Sequence, residues 1–206
     1  MSISRTYLPA AHFHFLTAAY EIMMRPFLGH VWSGVADEIE VAARRNASVV
    51  DLGCGPGTVL RRLAQRRPDL ALTGIDIDRG VLSIAQRRLK SAILICGNVA
   101  EVPLKDGSAD FIFSTIMFHH LERELKIKAF KEAMRLRKDS GHFYLCDFSL
   151  PTNVLGRLVV KTLGSLEQGV KSQARGELLE IANGIGLRAV ELRRYLGSIA
   201  LYEISR

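Results

Sequence analysis

Residues Val49 to Thr58 read VVDLGCGPGT. An apolar run meets an acidic residue, then three glycines at alternate positions, then an amphipathic segment. That order predicts a buried strand, a turn that lets something approach the backbone, and a helix opening with free N–H groups. Glycine permits positive φ and close approach, and a helix start favours an anion. The spacing narrows the reading. A dinucleotide fingerprint, GxGxxG, needs a glycine where Thr58 stands, and the phosphate loop GxxxxGK[ST] is missing. What stands is Asp51 two residues before a GxGxG made by Gly53, Gly55 and Gly57. The plain alternative is a tight strand-to-helix turn with no ligand.

The same unit recurs along the chain. Strands are predicted over Ser48–Leu52, Ala71–Asp76, Ala92–Cys96, Asp110–Met117 and His142–Phe148. Helices are predicted over Thr58–Arg67, Arg79–Lys90, Glu122–Lys138 and Gln173–Asn183. Leu187–Tyr195 and Ser198–Ser205 flank Leu196-Gly197, a link short enough only for an antiparallel hairpin. Residues 10–45 read as helical with a break at Pro26 and Gly29. Continuous apolar strands alternating with amphipathic helices predict five βα-type units and a sheet covered on both faces. The fold class is therefore α/β and Rossmann-like: a seven-stranded, mostly parallel sheet with the last strand antiparallel. Ligands of such sheets bind beyond the carboxyl ends of the strands.

A chain of 206 residues suits one domain. It is 48% hydrophobic and carries a net charge of +7, a globular composition that excludes disorder. Cys54, Cys96 and Cys146 form no CxxC, so neither a disulfide framework nor a zinc site is expected, and a reducing, cytoplasmic compartment fits. No apolar stretch reaches the roughly 18 residues of a membrane span, and the first residues do not read as a signal peptide. The charge hints at acidic partners. Arg61, Arg62, Arg66 and Arg67 form its densest run, which reads as a solvated helix face more readily than as a nucleic-acid surface. Met23, Met24, Phe27, Leu28, Val31 and Trp32 lie between basic residues, so peripheral membrane contact is a further option beside core or lid.

The glycine loop resembles the first motif of the class I S-adenosylmethionine (SAM)-dependent methyltransferases, and further motifs follow in order. Asp76 ends GIDID, where the family holds both ribose hydroxyls. Asn98 and Val99 stand where the family reads the adenine edge, although Gly97-Asn98 could equally be a plain turn. Ala109-Asp110-Phe111 through His119-His120-Leu121 resembles the fourth strand and its loop. Within the superfamily, the ubiquinone/menaquinone-biosynthesis C-methyltransferase-like group is similar at three places: Tyr20-Glu21-Ile22-Met23, Cys146 to Pro151, and Gly197 to Tyr202. This chain departs from it in carrying His119-His120 where quinone enzymes carry Arg-Asn, and in a short segment between Pro151 and Gln173.

The resemblance implies SAM as cofactor, S-adenosylhomocysteine as product, and a small, hydrophobic or aromatic acceptor. It implies a helical lid over 1–45, a cofactor-binding core over 46–148, and a substrate-side segment with the last helix and hairpin over 149–206. Expected cofactor contacts are Asp51, Gly53, Gly55, Gly57, Asp76, Ile77 (against adenine), Asn98, Val99, the Thr115 carbonyl and the Tyr20 ring. His119 and His120 are the candidate general bases, since histidine titrates near pH 6.5; the plain alternative is that one caps a helix and the other packs. His12 and His14 lie two apart, which on a helix does not face one metal, so no metal is expected. Two other readings fit the motifs: an RNA-modifying methyltransferase and a non-catalytic SAM-binding sensor or partner subunit. Monomer and homodimer both remain open.

Overall fold

The computed structural model describes the backbone of residues 16–206 and the side chains of residues 28–165 and 167–206. The strands are β1 (Ser48–Leu52), β2 (Ala71–Asp76), β3 (Ile93–Cys96), β4 (Ala109–Thr115), β5 (Arg137–Phe148), β6 (Arg188–Tyr195) and β7 (Ile199–Ser205). They form one seven-stranded sheet in the order β3-β2-β1-β4-β5-β7-β6. β1 to β5 are parallel, and β7 is antiparallel to both β5 and β6. The helices are α1 (Leu16–Ala42), α2 (Thr58–Arg66), α3 (Arg79–Arg88), α4 (Arg123–Leu136), α5 (Val154–Leu166), α6 (Gln168–Gln173) and α7 (Glu177–Gly184), with a 3-10 turn over Phe118–His120. This is the expected α/β fold. The order turns at β1, with β2 and β3 on one side and β4 and β5 on the other, so the crevice beyond the ends of β1 and β4 is the natural ligand site.

The parallel strands are apolar on both faces because both faces are covered. Val49, Phe111, Phe113, Tyr144 and Cys146 point into a core shared with α1, α2 and α3. Val50, Leu52, Ile112, Phe143 and Leu145 point into one shared with α4 and α7. The second core also shelters a charge: Lys126 on α4, almost wholly buried, donates to Glu177 Oε2 on α7 at 2.6 Å.

Several boundaries differ from the sequence reading, each for a physical reason. Against the break expected at Pro26 and Gly29, α1 runs unbroken. An internal proline costs about 3 kcal/mol. Val31, Val35 and Ile39 are fully buried, and at about 1.5–3 kcal/mol for each large apolar side chain their packing outweighs it. Leu28 and Val31 are therefore core, with Trp32 packed against them; the side chains of Met23, Met24 and Phe27 lie outside the described residues. The third βα unit has no helix among the described residues. Residues 97–108 cross in turns instead, held by Arg135, which donates to the Val102 and Leu104 carbonyls. β5 begins at Arg137, because Ala109 pairs with Arg137 before a register shift brings Phe111 opposite His142. Gly176, at φ +93°, separates α6 from α7, so the helix expected over Gln173–Asn183 starts later.

The arginine run is a staple between helices. Arg66 pairs with Asp37 and Glu40 of α1 at 2.6 and 3.1 Å. Arg67 pairs with Asp69 at 2.8 Å and donates to the Glu40 and Ala43 carbonyls. Arg62 donates to Ser33 Oγ at 3.0 Å.

Candidate functional site

The glycine loop is hung on the end of β2. The N–H groups of Gly53 and Cys54 donate to the Ile75 carbonyl at 2.8 and 2.9 Å. Gly55 N–H donates to Asp76 Oδ2 at 2.8 Å, and Asp78 N–H donates to Asp76 Oδ1 at 2.9 Å. Asp76 thus braces two loops and keeps further lone pairs for a ligand. Asp78 caps α3, accepting from the Gly80 and Val81 N–H groups.

The three glycines serve different ends. A Cβ on Gly53 would overlap Met117 Cγ, and one on Gly57 would lie 2.5 Å from Leu89 Cδ1, so the protein itself fills both places. At Gly55, with φ +52°, the nearest atom is Val81 Cγ1 at 3.9 Å. Of the three, Gly55 is the one that leaves its backbone open to a ligand.

Two carboxylates lie beneath this loop. Asp51 is buried, and its carboxyl is pushed well above the usual range by burial and then by the charge of Asp76. Burial pushes Asp76 up as well, against the N–H groups of Asp78 and Gly55. Neither has an ion-pair partner among the described residues. A buried acid beside a half-buried one, with no cation among the described residues, suits a ligand that brings positive charge.

At the end of β4, Thr115 Oγ1 is buried with no hydrogen-bond partner among the described residues, a state that costs about 1–3 kcal/mol. Ile116 follows at φ +52°. A β-branched residue rarely adopts that conformation, and the turn swings Met117 against Gly53. Beyond β3, Gly97 N–H donates to the Asp76 carbonyl at 3.0 Å. Asn98 is exposed and its Oδ1 accepts from Ala100 N–H at 2.9 Å, so this side chain already builds its own turn. Val99 is buried and Ile77 is half-buried. The side chain of Tyr20, and His12 and His14, lie outside the described residues.

His119 and His120 differ sharply. His119 is buried between two carboxylates, with Nδ1 2.8 Å from Asp147 Oδ1 and Nε2 3.1 Å from Glu167 Oε2. Burial alone would lower its pKa; the charge and hydrogen bond of Asp147, then those of Glu167, instead raise it to about 9. His119 therefore already carries its proton at neutral pH. His120 packs beside it, with ring centroids 3.9 Å apart. Burial and the charge of His119 lower its pKa to about 4, which leaves its ring neutral.

Asp147, at the end of β5, is the hub. Its Oδ2 accepts from the Met117 and His119 N–H groups at 3.1 and 3.2 Å, and its Oδ1 from Phe148 N–H at 2.7 Å. Gln173 of α6 closes the cluster; the donors and acceptors around its amide assign the nitrogen to the Phe148 carbonyl and the oxygen to His119 N–H. His119, His120 and Glu167 also present ligand atoms within 4.8 Å of one another, but each His119 nitrogen is already met by a carboxylate, so a proton satisfies the group as it stands. Sequence reasoning passed over Asp147 as a site residue, and missed Glu167 and Gln173. Asp147 left one trace, in the Cys146 to Pro151 pattern; the other two sit in an unmarked segment.

Residues 49–141 match the family model described as a methyltransferase domain. Demethylmenaquinone methyltransferase of Thermotoga maritima is 33% identical over 105 residues, 51% of this chain and 44% of that protein. Malonyl-[acyl-carrier protein] O-methyltransferase of Geobacter sulfurreducens is 33% identical over 100 residues, 47% of this chain and 37% of that protein. The chain thus spans less than half the length of these two curated relatives. Among solved structures, a SAM-dependent methyltransferase from Aquifex aeolicus superposes with a TM-score of 0.68 at 18% identity, over 94% of this chain and 98% of that one. That likeness is one of fold.

Proposed function

We propose that this chain, whose core is a class I SAM-dependent methyltransferase domain, transfers a methyl group from SAM to a small, hydrophobic or aromatic acceptor. One observation carries the reading. Beyond the ends of β1, β2 and β4 lie an open Gly55 backbone, the carboxylates of buried Asp51 and half-buried Asp76 with no ion-pair partner among the described residues, and a buried Thr115 hydroxyl with no hydrogen-bond partner among them.

SAM, when bound, supplies a methyl group already activated on a sulfonium, so the protein's task is to bind and align. Asp51 neutralises the positive end of the ligand and orders the loop. Asp76 accepts from the ribose hydroxyls with the lone pairs its loop bonds leave. Ile77 would lie against the adenine, Asn98 and the Val99 N–H would read its edge, and the Thr115 carbonyl would take the ammonium group. His120, whose ring is neutral, is the candidate to take a proton from the acceptor, a weak base because burial and the charge of the adjacent His119 disfavour its protonated form. His119, already protonated, holds the loop in place. Half-buried Met117, against Gly53, supplies apolar surface near it, which supports a greasy acceptor. The relatives named above act on unlike acceptors, so the acceptor's class rests on these surroundings. The three free cysteines agree with a reducing, cytoplasmic setting. The charge makes no separate case for RNA, since Arg62, Arg66 and Arg67 are engaged within the protein.

Calorimetry with S-adenosylhomocysteine tests the cofactor half. Wild type binds, and Asp76→Ala weakens binding by roughly tenfold to a hundredfold, the worth of charge-assisted hydrogen bonds; no binding by wild type would overturn the reading. Transfer of labelled methyl from SAM to a panel of phenolic and lipophilic acceptors tests the other half. His120→Ala should lower turnover while leaving S-adenosylhomocysteine affinity intact. Label that reaches RNA alone would favour the RNA enzyme, and label that reaches no acceptor would favour a sensor.

A further inference from the structure

Four of the large exposed apolar residues fall together, between Leu150 and Leu158. Val154 is 81% exposed, Leu158 58%, Leu155 50% and Leu150 47%. Three of them are on α5, and the helix cannot rotate to hide them. Asn153 caps it by accepting from Gly156 N–H at 2.7 Å. Gly156 is pressed onto the β6–β7 turn, where an added Cβ would lie 2.5 Å from the Gly197 carbonyl oxygen. Val159 and Leu163 pack on the core. The opposite face, bearing Val154, Leu155 and Leu158, is therefore fixed outward.

The charge around this face is one-sided. Arg157 and Lys161, one turn apart, are both exposed along its border. From Ser149 to Leu166 the chain has no acidic residue. An apolar helix face bordered by cations is the arrangement that settles into the interface of an anionic bilayer. A second copy of the chain fits less well, because a two-fold contact sets the same patch against itself and brings the cations of one copy toward those of the other.

We infer that α5 docks the protein on an anionic lipid surface through Val154, Leu155 and Leu158, with Arg157 and Lys161 at the headgroups. This differs from the membrane option in the sequence, which rested on residues of α1, among which Leu28 and Val31 are core. α5 directly follows β5, at the edge of the sheet that bears the glycine loop, Asp76 and His120, so docking brings that edge to the lipid. Docking does not depend on methyl transfer; only the corollary, that a lipophilic acceptor enters from the bilayer, rests on the function proposed above.

Cosedimentation of the full chain with phosphatidylcholine vesicles, with and without phosphatidylglycerol, tests the inference. Binding is expected to the anionic vesicles alone and to fall as salt rises. Val154→Asp with Leu158→Asp should abolish it. Arg157→Glu with Lys161→Glu, which touches only exposed charge, should weaken it by at least about tenfold. Unchanged S-adenosylhomocysteine affinity and thermal midpoint report that each variant is folded, and keep this test separate from the function. Failure of wild type to bind anionic vesicles overturns the inference, as does equal binding by the Val154→Asp, Leu158→Asp variant. Self-association through α5 without vesicle binding overturns it in favour of a dimer face.

Discussion

On the proposed cofactor side of the site, Asp51, Gly55, Asp76 and Thr115 each lie at or just past a strand end, and the glycine loop is tied to β2 through the Ile75 carbonyl and the Asp76 carboxylate. On the proposed acceptor side, His119, Asp147, and Glu167 with Gln173 of the α6 segment come from three separate parts of the chain and are tied through side chains in a charged cluster around buried His119 and Asp147. The first side can lose a ligand contact and still fold, because its loop hangs on the β2 carbonyls. The second cannot lose its hub so cheaply, because a buried ion then loses the closer of its two carboxylates. The comparison separates variants that injure binding from variants that injure stability.

The largest effect is expected at the hub. Asp147→Ala leaves the His119 charge with Glu167 as its one remaining carboxylate and removes an acceptor of three N–H groups, and should lower stability by about 3–5 kcal/mol, read as a lower urea midpoint. At temperatures where it remains folded, it should still bind S-adenosylhomocysteine. Loss of cofactor affinity in proportion to stability would show that the two sides are one cooperative unit.

Next come the glycines. Gly57→Ala sets a Cβ 2.5 Å from Leu89 Cδ1 at φ +75° and should destabilise by roughly 2–3 kcal/mol, strain and crowding together. Gly55→Ala meets no neighbour closer than ordinary contact and should destabilise by only about 1 kcal/mol. It should nonetheless weaken S-adenosylhomocysteine binding by more than its stability loss accounts for. Paired calorimetry and thermal melts of the two variants check this; the same ratio of affinity loss to stability loss in both would erase the distinction between them.

The histidine pair gives a third effect with opposite limbs. His119 has its pKa raised to about 9, so its stabilisation is whole below the ordinary value of about 6.5 and is lost as pH rises through about 9. His120 has its pKa lowered to about 4, so its neutral form stabilises above about 6.5 and that stability is lost as pH falls through about 4. The alkaline limb is worth on the order of 3 kcal/mol. Thermal midpoints measured across pH should show both limbs, and His119→Gln should remove the alkaline one.

The same contrast explains what the sequence could disclose. Asp51, the glycines and Asp76 stand in contiguous strings whose spacing carries the chemistry, and the alternation of apolar strands with amphipathic helices predicts the sheet down to its final hairpin. Glu167 and Gln173 carry no local pattern; only the packing of α6 on the loop after β4 brings them to His119. The continuity of α1 through Pro26 was hidden for the same reason, since its cause is burial of Val31, Val35 and Ile39 against distant strands. The adjacent histidines were visible as a pair, but Asp147 lies 28 positions from His119, and no spacing rule says which ring it will clamp.

The smallest effect probes the cofactor side from within. Burial and Asp76 hold the Asp51 carboxyl above the ordinary carboxylate range. By itself this makes the ligand-free protein less stable as pH rises through that raised value, because the folded state then contains a buried charge it does not balance. A bound ammonium group reverses the balance by favouring the charged carboxylate. The stabilisation given by saturating S-adenosylhomocysteine should therefore be greater near pH 7 than near pH 5, read as a larger shift of the thermal midpoint. His119 keeps its proton throughout that interval, so the acceptor side contributes nothing to the difference. Asp51→Asn retains the shape of the side chain and removes its titration, and should make the two shifts equal. Should the pH dependence persist in Asp51→Asn, the charge that meets the ligand is that of Asp76 alone, and Asp51 acts only on the loop.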